Sequence, residues 1–317
     1  MKPHRLLYIL LITLGLSVGI MAVQHTRGTN HPATIATVDF NKVSSKILNT
    51  AEKHTQQTLR IAVAAMTSPH ATKLIYHDLL NYIGDQLDMK LTFIQRATYA
   101  EIIPLLRTNK IDLAFICSGT YALCNDEFGW ELLAIPVINS KKTYTSNIIV
   151  ATASPYTTFA DLRNKSFAFT CAGSNSGELY PKYYLLNQGE TAQHFFSNTL
   201  CSHGNDNSIR AVASGLVEGA AIDSLILKYM IFKNDPAAQQ VRIIHSSPEF
   251  GIPPVTVSPQ LDPRSKERLR QLFLSVHKTQ QGKKILDKLQ IDYFTQGVDA
   301  DYDSIREMIA ACKKHEQ

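Results

Sequence analysis

The strongest constraint in this chain is an alternation of strand-like and helix-like segments that runs twice. "LRIAVAA" (59–65) is an apolar run of buried-strand type, and the segment after it, "ATKLIYHDLLNYIGDQL" (71–87), carries apolar residues at 74, 75, 79, 80, 83 and 87. That spacing lines one face of a helix. "KLTFIQ" (90–95) then reads as a strand, "TYAEIIPLLRTNK" (98–110) as a helix and "IDLAFI" (111–116) as a third strand. Thr98, with Glu101 three residues on, has the capping-box pattern of a helix start. A β-α-β-α-β order demands parallel strands, because each helix returns the chain to the same end of the sheet and covers one face of it.

The same alternation restarts at "NIIVAT" (147–152). A short helix (158–165), the strand "SFAFTC" (166–171), a helix (177–188), a strand near 194–200, a helix (208–216), the strand "GAAID" (219–223), a helix (224–233) and an extended "VRIIHSS" (241–247) follow. "PPVTVSPQL" (253–261) is Pro-bounded and extended, and helices at 263–278, 280–289 and 301–315 end the chain. Two α/β units joined by extended segments predict two lobes, each with a mostly parallel sheet flanked by helices, and a cleft between them. No repeat of fixed period and no low-complexity tract interrupts the pattern.

The N-terminus reads differently. "MKPHRLLYILLITLGLSVGIMAV" (1–23) sets basic residues before an unbroken apolar stretch from Leu6 to Val23. This is a secretory signal or an uncleaved membrane anchor. Bulky Ile20 makes "IMA" (20–22) a poor cleavage site, so both fates stay open. Export to the periplasm or cell surface is expected either way. Polar residues 24–57 read as a spacer with a short helix around 40–53. The chain has 317 residues, 44% hydrophobic and 19% charged, a balance that favours a packed core over disorder. Its net charge of +5 includes Lys2 and Arg5 of the leader, and what remains is too mild to argue for nucleic acid.

Five cysteines (117, 124, 171, 201 and 312) show no zinc-site spacing, so no metal is expected. Their odd number leaves at least one thiol unpaired within a monomer. Cys171 and Cys201 end consecutive strands of the second unit. Neighbouring strands bring Cα atoms near disulfide range, which makes this pair a candidate bridge. Cys312 has Ile305, Met308 and Ile309 as helical neighbours and reads as packing. Trp130 and Phe128 read as a hydrophobic plug at the end of a loop, and the basic cluster 264–271, interspersed with Glu267, as a solvated helix face.

Ligands of open α/β sheets bind beyond the carboxyl ends of the strands. In this chain those ends carry Ser68 after the first strand, Tyr99 after the second, and Cys117, Ser118 and Tyr121 after the third. In the second unit they carry Ser174-Asn175-Ser176, the run 202–208 with Asn205, and Asp223. Each turn taken singly is explained by helix capping. Six on one rim point to a polar ligand, with backbone N–H groups at helix starts as further donors. Catalysis is the weaker reading. "GSNSG" (173–177) has Asn175 where a nucleophile elbow needs Ser. Cys117 with His203 is the remaining thiol–imidazole candidate for a Cys-dependent hydrolase. No P-loop, HExxH or dinucleotide-binding fingerprint is present, and no cofactor is expected.

Five blocks together carry a family resemblance: "YAEIIPLLRTNKIDLAFICSGTYA" (99–122), "ELLAIPVINSKKTYTSNIIV" (131–150), "SFAFTCAGSNSGELYP" (166–181), "NDNSIRAVASGLVEGAAIDSL" (205–225) and "FGIPPVTVSPQLDP" (250–263). In this order, over roughly 58–310, they resemble the PhnD-type (phosphate, phosphite and phosphonate class) periplasmic substrate-binding proteins of ABC transporters. The resemblance implies the type II periplasmic-binding-protein fold, with two crossover strands between lobes. It divides the chain into lobe 1 (58–146), lobe 2 (147–252) and a return to lobe 1 with C-terminal helices (253–317). It further implies a non-catalytic monomer that clamps a small oxyanion and delivers it to an ABC permease.

By the same resemblance Tyr99 and Tyr121 match cleft positions, Ser174, Asn175 and Ser176 match a Ser-Thr-Ser turn that receives oxyanion oxygens, and Asp223 matches an acid that accepts a protonated oxygen or an amine. Two positions depart from the family pattern. Asn175 replaces Thr, and Asn205 stands where many relatives have His, which removes a cationic donor and opens the site to less charged ligands. The "CSG-x-Y" loop at Cys117 also resembles a branch with arsenite-binding sensor components. A sensor that signals to a membrane histidine kinase is therefore the alternative. At Cys117 a soft thiol ligand and a small buried cysteine are both open readings.

Overall fold

The two alternating runs fold into two separate sheets. The computed structural model describes residues 38–39, 58–64, 69–170 and 172–315. The leader at 1–23, most of the 24–57 spacer with its expected helix, Ser68 and Cys171 lie outside the described residues.

The first sheet contains β1 (Val38–Asp39), β2 (Thr58–Val63), β3 (Lys90–Ile94), β4 (Leu113–Phe115) and β5 (Glu131–Val137). A crossover strand, β6 (Thr143–Tyr144), leads out of it. The second sheet contains β7 (Ser146–Ala151), β8 (Ser166–Phe169), β9 (Asn198–Cys201), β10 (Gly219–Asp223) and β11 (Val241–Ser246). The chain returns through β12 (Phe250–Gly251) to place β13 (Val255–Val257) and β14 (Tyr293–Thr295) in the first sheet. The strand orders are β1-β3-β2-β4-β13-β5-β14 and β11-β7-β10-β8-β9, and β6 pairs antiparallel with β12 as a two-stranded ribbon. Together they form the two-lobed type II arrangement.

The main helices are α1 (Pro69–Leu87), α2 (Tyr99–Arg107), α3 (Ser118–Phe128), α4 (Tyr180–Leu186), α5 (Asn205–Ala213), α6 (Ser224–Phe232), α7 (Pro263–Ser275), α8 (Gln280–Leu289) and α9 (Asp303–His315). Thr98 and Glu101 form the expected capping box on α2. Among the described residues no helix is long and apolar enough to cross a membrane.

Strand alternation assigns each lobe two cores. Leu59, Ile61 and Val63 face Leu79, Ile83, Leu269, Phe273 and Leu286. The intervening Ala62, with Ala64, faces Ile102, Leu106, Trp130 and Ile305. In the second sheet Ile148, Val150, Phe167 and Phe169 meet Phe159, Phe195 and Phe196, whereas Ile149, Ala168 and Ile222 meet Ile209 and Val212. Each fully buried side chain of this size stabilises by roughly 1.5–3 kcal/mol.

Three features depart from expectation. Both sheets are mixed rather than mostly parallel. β2, β3 and β4 run parallel, as do β8, β9 and β10. Strands that arrive from the other lobe run antiparallel, β7 to β10 and β13 to both β4 and β5, because no helical crossover dictates their direction. Helix α3 and strand β5 fill a region that has no clear period in the sequence. Finally, Cys201 is a free, exposed thiol that donates to the Thr170 carbonyl at 3.1 Å, so the structure carries no bridge from it. Trp130 is fully buried, as expected of a plug, and its Nε1 donates to the Leu106 carbonyl at 3.2 Å.

Candidate functional site

The turn "AGSNSGELYP" (172–181) forms one wall of the cleft. Gly173 sits at φ +92°, in the left-handed region, and a Cβ there would meet Tyr99 Cβ at 3.2 Å. The Ser174 hydroxyl accepts from the Gly177 N–H at 3.1 Å. Asn175–Leu179 then makes a single widened π turn before α4 begins. Single π turns are frequent at functional sites. Only glycine fits at 177, since a Cβ would lie 2.1 Å from Thr170 Oγ1. The Glu178 carboxylate closes the turn by accepting from the Gly173 N–H at 3.0 Å and from Lys182 Nζ at 2.6 Å.

The opposing wall is the start of α3 in the first lobe. Cys117 caps that helix, its sulfur accepting from the Thr120 N–H at 3.4 Å and donating to the Gly173 carbonyl at 3.3 Å. Thr120 Oγ1 donates to the same carbonyl at 3.4 Å. Ser118 Oγ donates to the Gly251 carbonyl of the crossover strand at 2.6 Å. These bonds join the lobes across the cleft, so the structure is a closed arrangement.

Tyr144, on the other crossover strand, is buried between the walls, and its hydroxyl accepts from Asn175 Nδ2 at 2.9 Å. Burial and then the nearby Asp223 push the Tyr144 hydroxyl well above its ordinary range, against hydrogen bonds from Asn175 and Ser118 that pull it down. Asn175 Oδ1 is buried and has no hydrogen-bond partner among the described residues. A buried acceptor left unpaired costs roughly 1–3 kcal/mol, and such an atom marks where an incoming donor is rewarded.

Asn205 and Asp223 form a second polar cluster. Asn205 Oδ1 accepts from Thr170 Oγ1 at 3.1 Å and from the Asp223 N–H at 2.9 Å. Asp223 caps α6, accepting from the Leu225 N–H at 2.7 Å. Burial pushes this carboxyl up to about 7, against backbone hydrogen bonds from Leu225 and Ile226 and the charge of Lys228. Among the described residues no Lys, Arg or His is buried. The site is thus built from neutral dipoles and one acid, which favours a ligand that brings its own hydrogens over a fully ionised anion.

A cavity of about 210 Å³ opens beside Asp223. Tyr76, Phe115 and Val255 line it from the first lobe, Ile226 and Tyr229 from the second, and Ile252 from the crossover return. Among the described residues, Asp223 is the only one expected from the sequence to touch ligand that lines it; the Ser174–Ser176 turn packs against α3 instead.

The structure therefore brings Cys117, Ser118, Tyr99, Ser174, Asn175 and Ser176 to one inter-lobe contact; within the second lobe the Ser176 carbonyl accepts from Ser146 Oγ at 2.6 Å. It sets Asn205 and Asp223 side by side. Tyr121 is otherwise engaged: its buried hydroxyl donates to Asp299 Oδ1 at 2.6 Å and its ring stacks edge-on against Tyr302. His203 faces Cys201 Sγ at 3.6 Å, whereas the Cys117 thiol is engaged by Thr120 and Gly173. Sequence reasoning passed over Tyr144, Thr170 and the lining tyrosines 76 and 229. The one signal for Tyr144 was its place in the polar run "TYTSN" between two apolar strands.

The family model described as ABC transporter, phosphonate, periplasmic substrate-binding protein matches residues 61–302. The phosphonates-binding periplasmic protein of Escherichia coli is 22% identical over 281 residues, covering 87% of this chain and 83% of that protein. Among solved structures, a binding-protein component of an ABC phosphonate transporter from Pseudomonas aeruginosa superposes with a TM-score of 0.75 at 24% identity, covering 80% of this chain and 85% of its own. PhnD1 from Prochlorococcus marinus, in complex with methylphosphonate, superposes with a TM-score of 0.74 at 19% identity, covering 81% and 99%. At such identities the structural likeness is one of fold.

Proposed function

The chain belongs to the family of periplasmic phosphonate substrate-binding proteins of ABC transporters, and from that premise we propose that it clamps a small phosphonate-, phosphite- or phosphate-class oxyanion between its lobes for delivery to a membrane permease. The observation that carries this reading is the closed cleft itself: Asn175 Oδ1 unpaired in its wall, and Asp223 buried with no buried cation among the described residues. Asn175 Oδ1 accepts hydrogen bonds at any pH, and Asp223 accepts them on its ionised carboxylate. A singly protonated oxyanion, R–PO3H⁻, offers one O–H donor to such acceptors while its remaining oxygens receive donors from helix starts and hydroxyls. A site whose acceptors need that hydrogen rejects a fully ionised anion, because the acceptor is then left unpaired. Selection of the protonated species is thus the role assigned to Asn175 and Asp223, with Ser118, Ser174, Ser176 and Tyr144 as orienting groups.

Closure is the mechanical half of the reading. The lobes are joined by the β6–β12 ribbon and held shut by the Ser118, Cys117 and Thr120 bonds. A ligand that binds the closed form better shifts the population toward it, and the closed form is what a permease would recognise. The basic-then-apolar residues 1–23 support export.

Titration calorimetry at pH 6.5 with phosphate, phosphite, methylphosphonate, sulfate and arsenite tests the reading. Heat from one of the first three and none from sulfate is expected. Binding of sulfate as tight as that of phosphate would sink the protonation argument, and silence from all five would sink the oxyanion reading.

A further inference from the structure

The cavity beside Asp223 is both larger and more apolar than a bare tetrahedral oxyanion needs. An apolar cavity of about 150 Å³ accommodates benzene, and this one is about 210 Å³. Tyr76 and Phe115 meet with ring centroids 5.1 Å apart at 57°, a tilted pair whose faces line one side. Ile226 and Tyr229 form the other side, and Ile252 and Val255 add to the apolar lining. Only one end is acidic, where Asp223 adjoins Asn205. Exposed Asn139 and Lys228 also line the cavity.

From this geometry we infer that the ligand is an organophosphonate with an apolar, ring-sized carbon substituent, its acidic head at the Asp223 end and its substituent between Tyr76, Phe115, Ile226 and Tyr229. The inference rests on the oxyanion reading of the cleft and adds the class of substituent. Because the two lobes each supply a side of the cavity, the substituent is enclosed only when they close. Its burial therefore favours the closed state selectively, which is the condition for a ligand to drive closure. An aromatic substituent has a further advantage, since rings pack in tilted or offset arrangements against Tyr and Phe beyond their area alone.

The test is calorimetry of the full chain with methylphosphonate, phenylphosphonate and benzyl alcohol. Phenylphosphonate is expected to bind about tenfold to a hundredfold more tightly than methylphosphonate, from the extra apolar area buried. Ile226→Trp, which fills the cavity, is expected to bring the ratio of the two affinities toward one. Should that variant fail to fold, Ile226→Ala, which removes one side's contacts, is expected to reduce the same ratio. Methylphosphonate binding equal to or tighter than phenylphosphonate would overturn the inference and leave the oxyanion reading standing. Benzyl alcohol binding as tightly as phenylphosphonate would show the cavity acts without the anionic head and would also overturn it. Failure of both phosphonates to bind would overturn the inference, and the oxyanion reading falls with it only when phosphate and phosphite are silent as well.

Discussion

Asp223→Asn should make the ligand-free protein more stable at neutral pH and leave it unchanged in acid. The carboxyl is 3% exposed, has no cation in hydrogen-bond contact among the described residues, and is lifted from 3.8 to about 7 by burial. A carboxyl whose folded-state value lies above its unfolded value adds nothing adverse below the unfolded value. Between pH 4 and pH 7 the unfolded chain ionises while the folded chain holds its proton, so stability drains away as pH rises, and above pH 7 the penalty levels off. At 1.36 kcal/mol per pH unit the ceiling is about 4 kcal/mol. Asn keeps the side-chain oxygen that accepts from the Leu225 N–H and caps as well as Asp, so the neutral form is matched rather than disrupted. For a domain of this size 1 kcal/mol moves the melting temperature by about 2–4 °C, which places the gain at pH 8 at no more than roughly 8–16 °C. Thermal melts of both proteins from pH 4 to pH 8 read this out directly. Two melting curves that stay parallel across that range, or a variant less stable at pH 8, would refute the argument that the carboxyl is buried without compensation.

Gly177→Ala places a Cβ 2.1 Å from Thr170 Oγ1; overpacking of this kind costs about 1–3 kcal/mol, read as a lowered denaturation midpoint. Tyr144→Phe removes the acceptor of Asn175 Nδ2, leaving a second buried polar atom unpaired on that side chain at about 1–3 kcal/mol, and oxyanion affinity should fall with it. Ser118→Ala deletes the 2.6 Å bond to the crossover strand and should open the lobes measurably in small-angle scattering of the ligand-free protein; an unchanged profile would remove this bond from the closure mechanism. Asp299 feels burial pushing it up, but Arg306 and Tyr121 hold it below the usual carboxylate range. Arg306→Ala should therefore lower stability at pH 6 by about 1 kcal/mol, a loss that fades as pH falls below 4 and Asp299 protonates in both states.

The parts of this fold with a period were legible. Leu59, Ile61 and Val63 announced a strand, and the 74–87 spacing announced α1, because each repeats a burial rule along its length. Helix α3 hid for the opposite reason. Ser118 through Ala122 are all buried, so the helix start has no polar face against which an apolar one stands out. Pro136 inside β5 likewise blurs the strand pattern there, since proline is depleted from strand interiors. The antiparallel returns of β7 and β13 depend on pairing between residues 69 to 144 positions apart, which no local pattern encodes. At the site, the Ser174–Ser176 turn was visible through its cap chemistry, whereas Tyr144 sits on a two-residue strand too short to show alternation. Tyr121 misled in the other direction: its neighbours in sequence fit a cleft, but its hydroxyl goes to Asp299, 178 residues away.

The absence of buried Lys, Arg and His among the described residues also bears on ionic strength. A pocket that holds an anion by countercharge loses affinity as salt screens the attraction, over a Debye length of about 10 Å at 0.1 M and about 3 Å at 1 M. A pocket that holds it by fixed dipoles inside a closed cleft has little long-range charge to screen. With exposed Lys228 on the cavity lining as a charge open to screening, affinity here should fall only modestly between 20 mM and 1 M salt, on the order of threefold. For a receptor outside the cytoplasm, where salinity follows the surroundings, that makes capture depend on the concentration of the ligand and hardly on the medium that carries it.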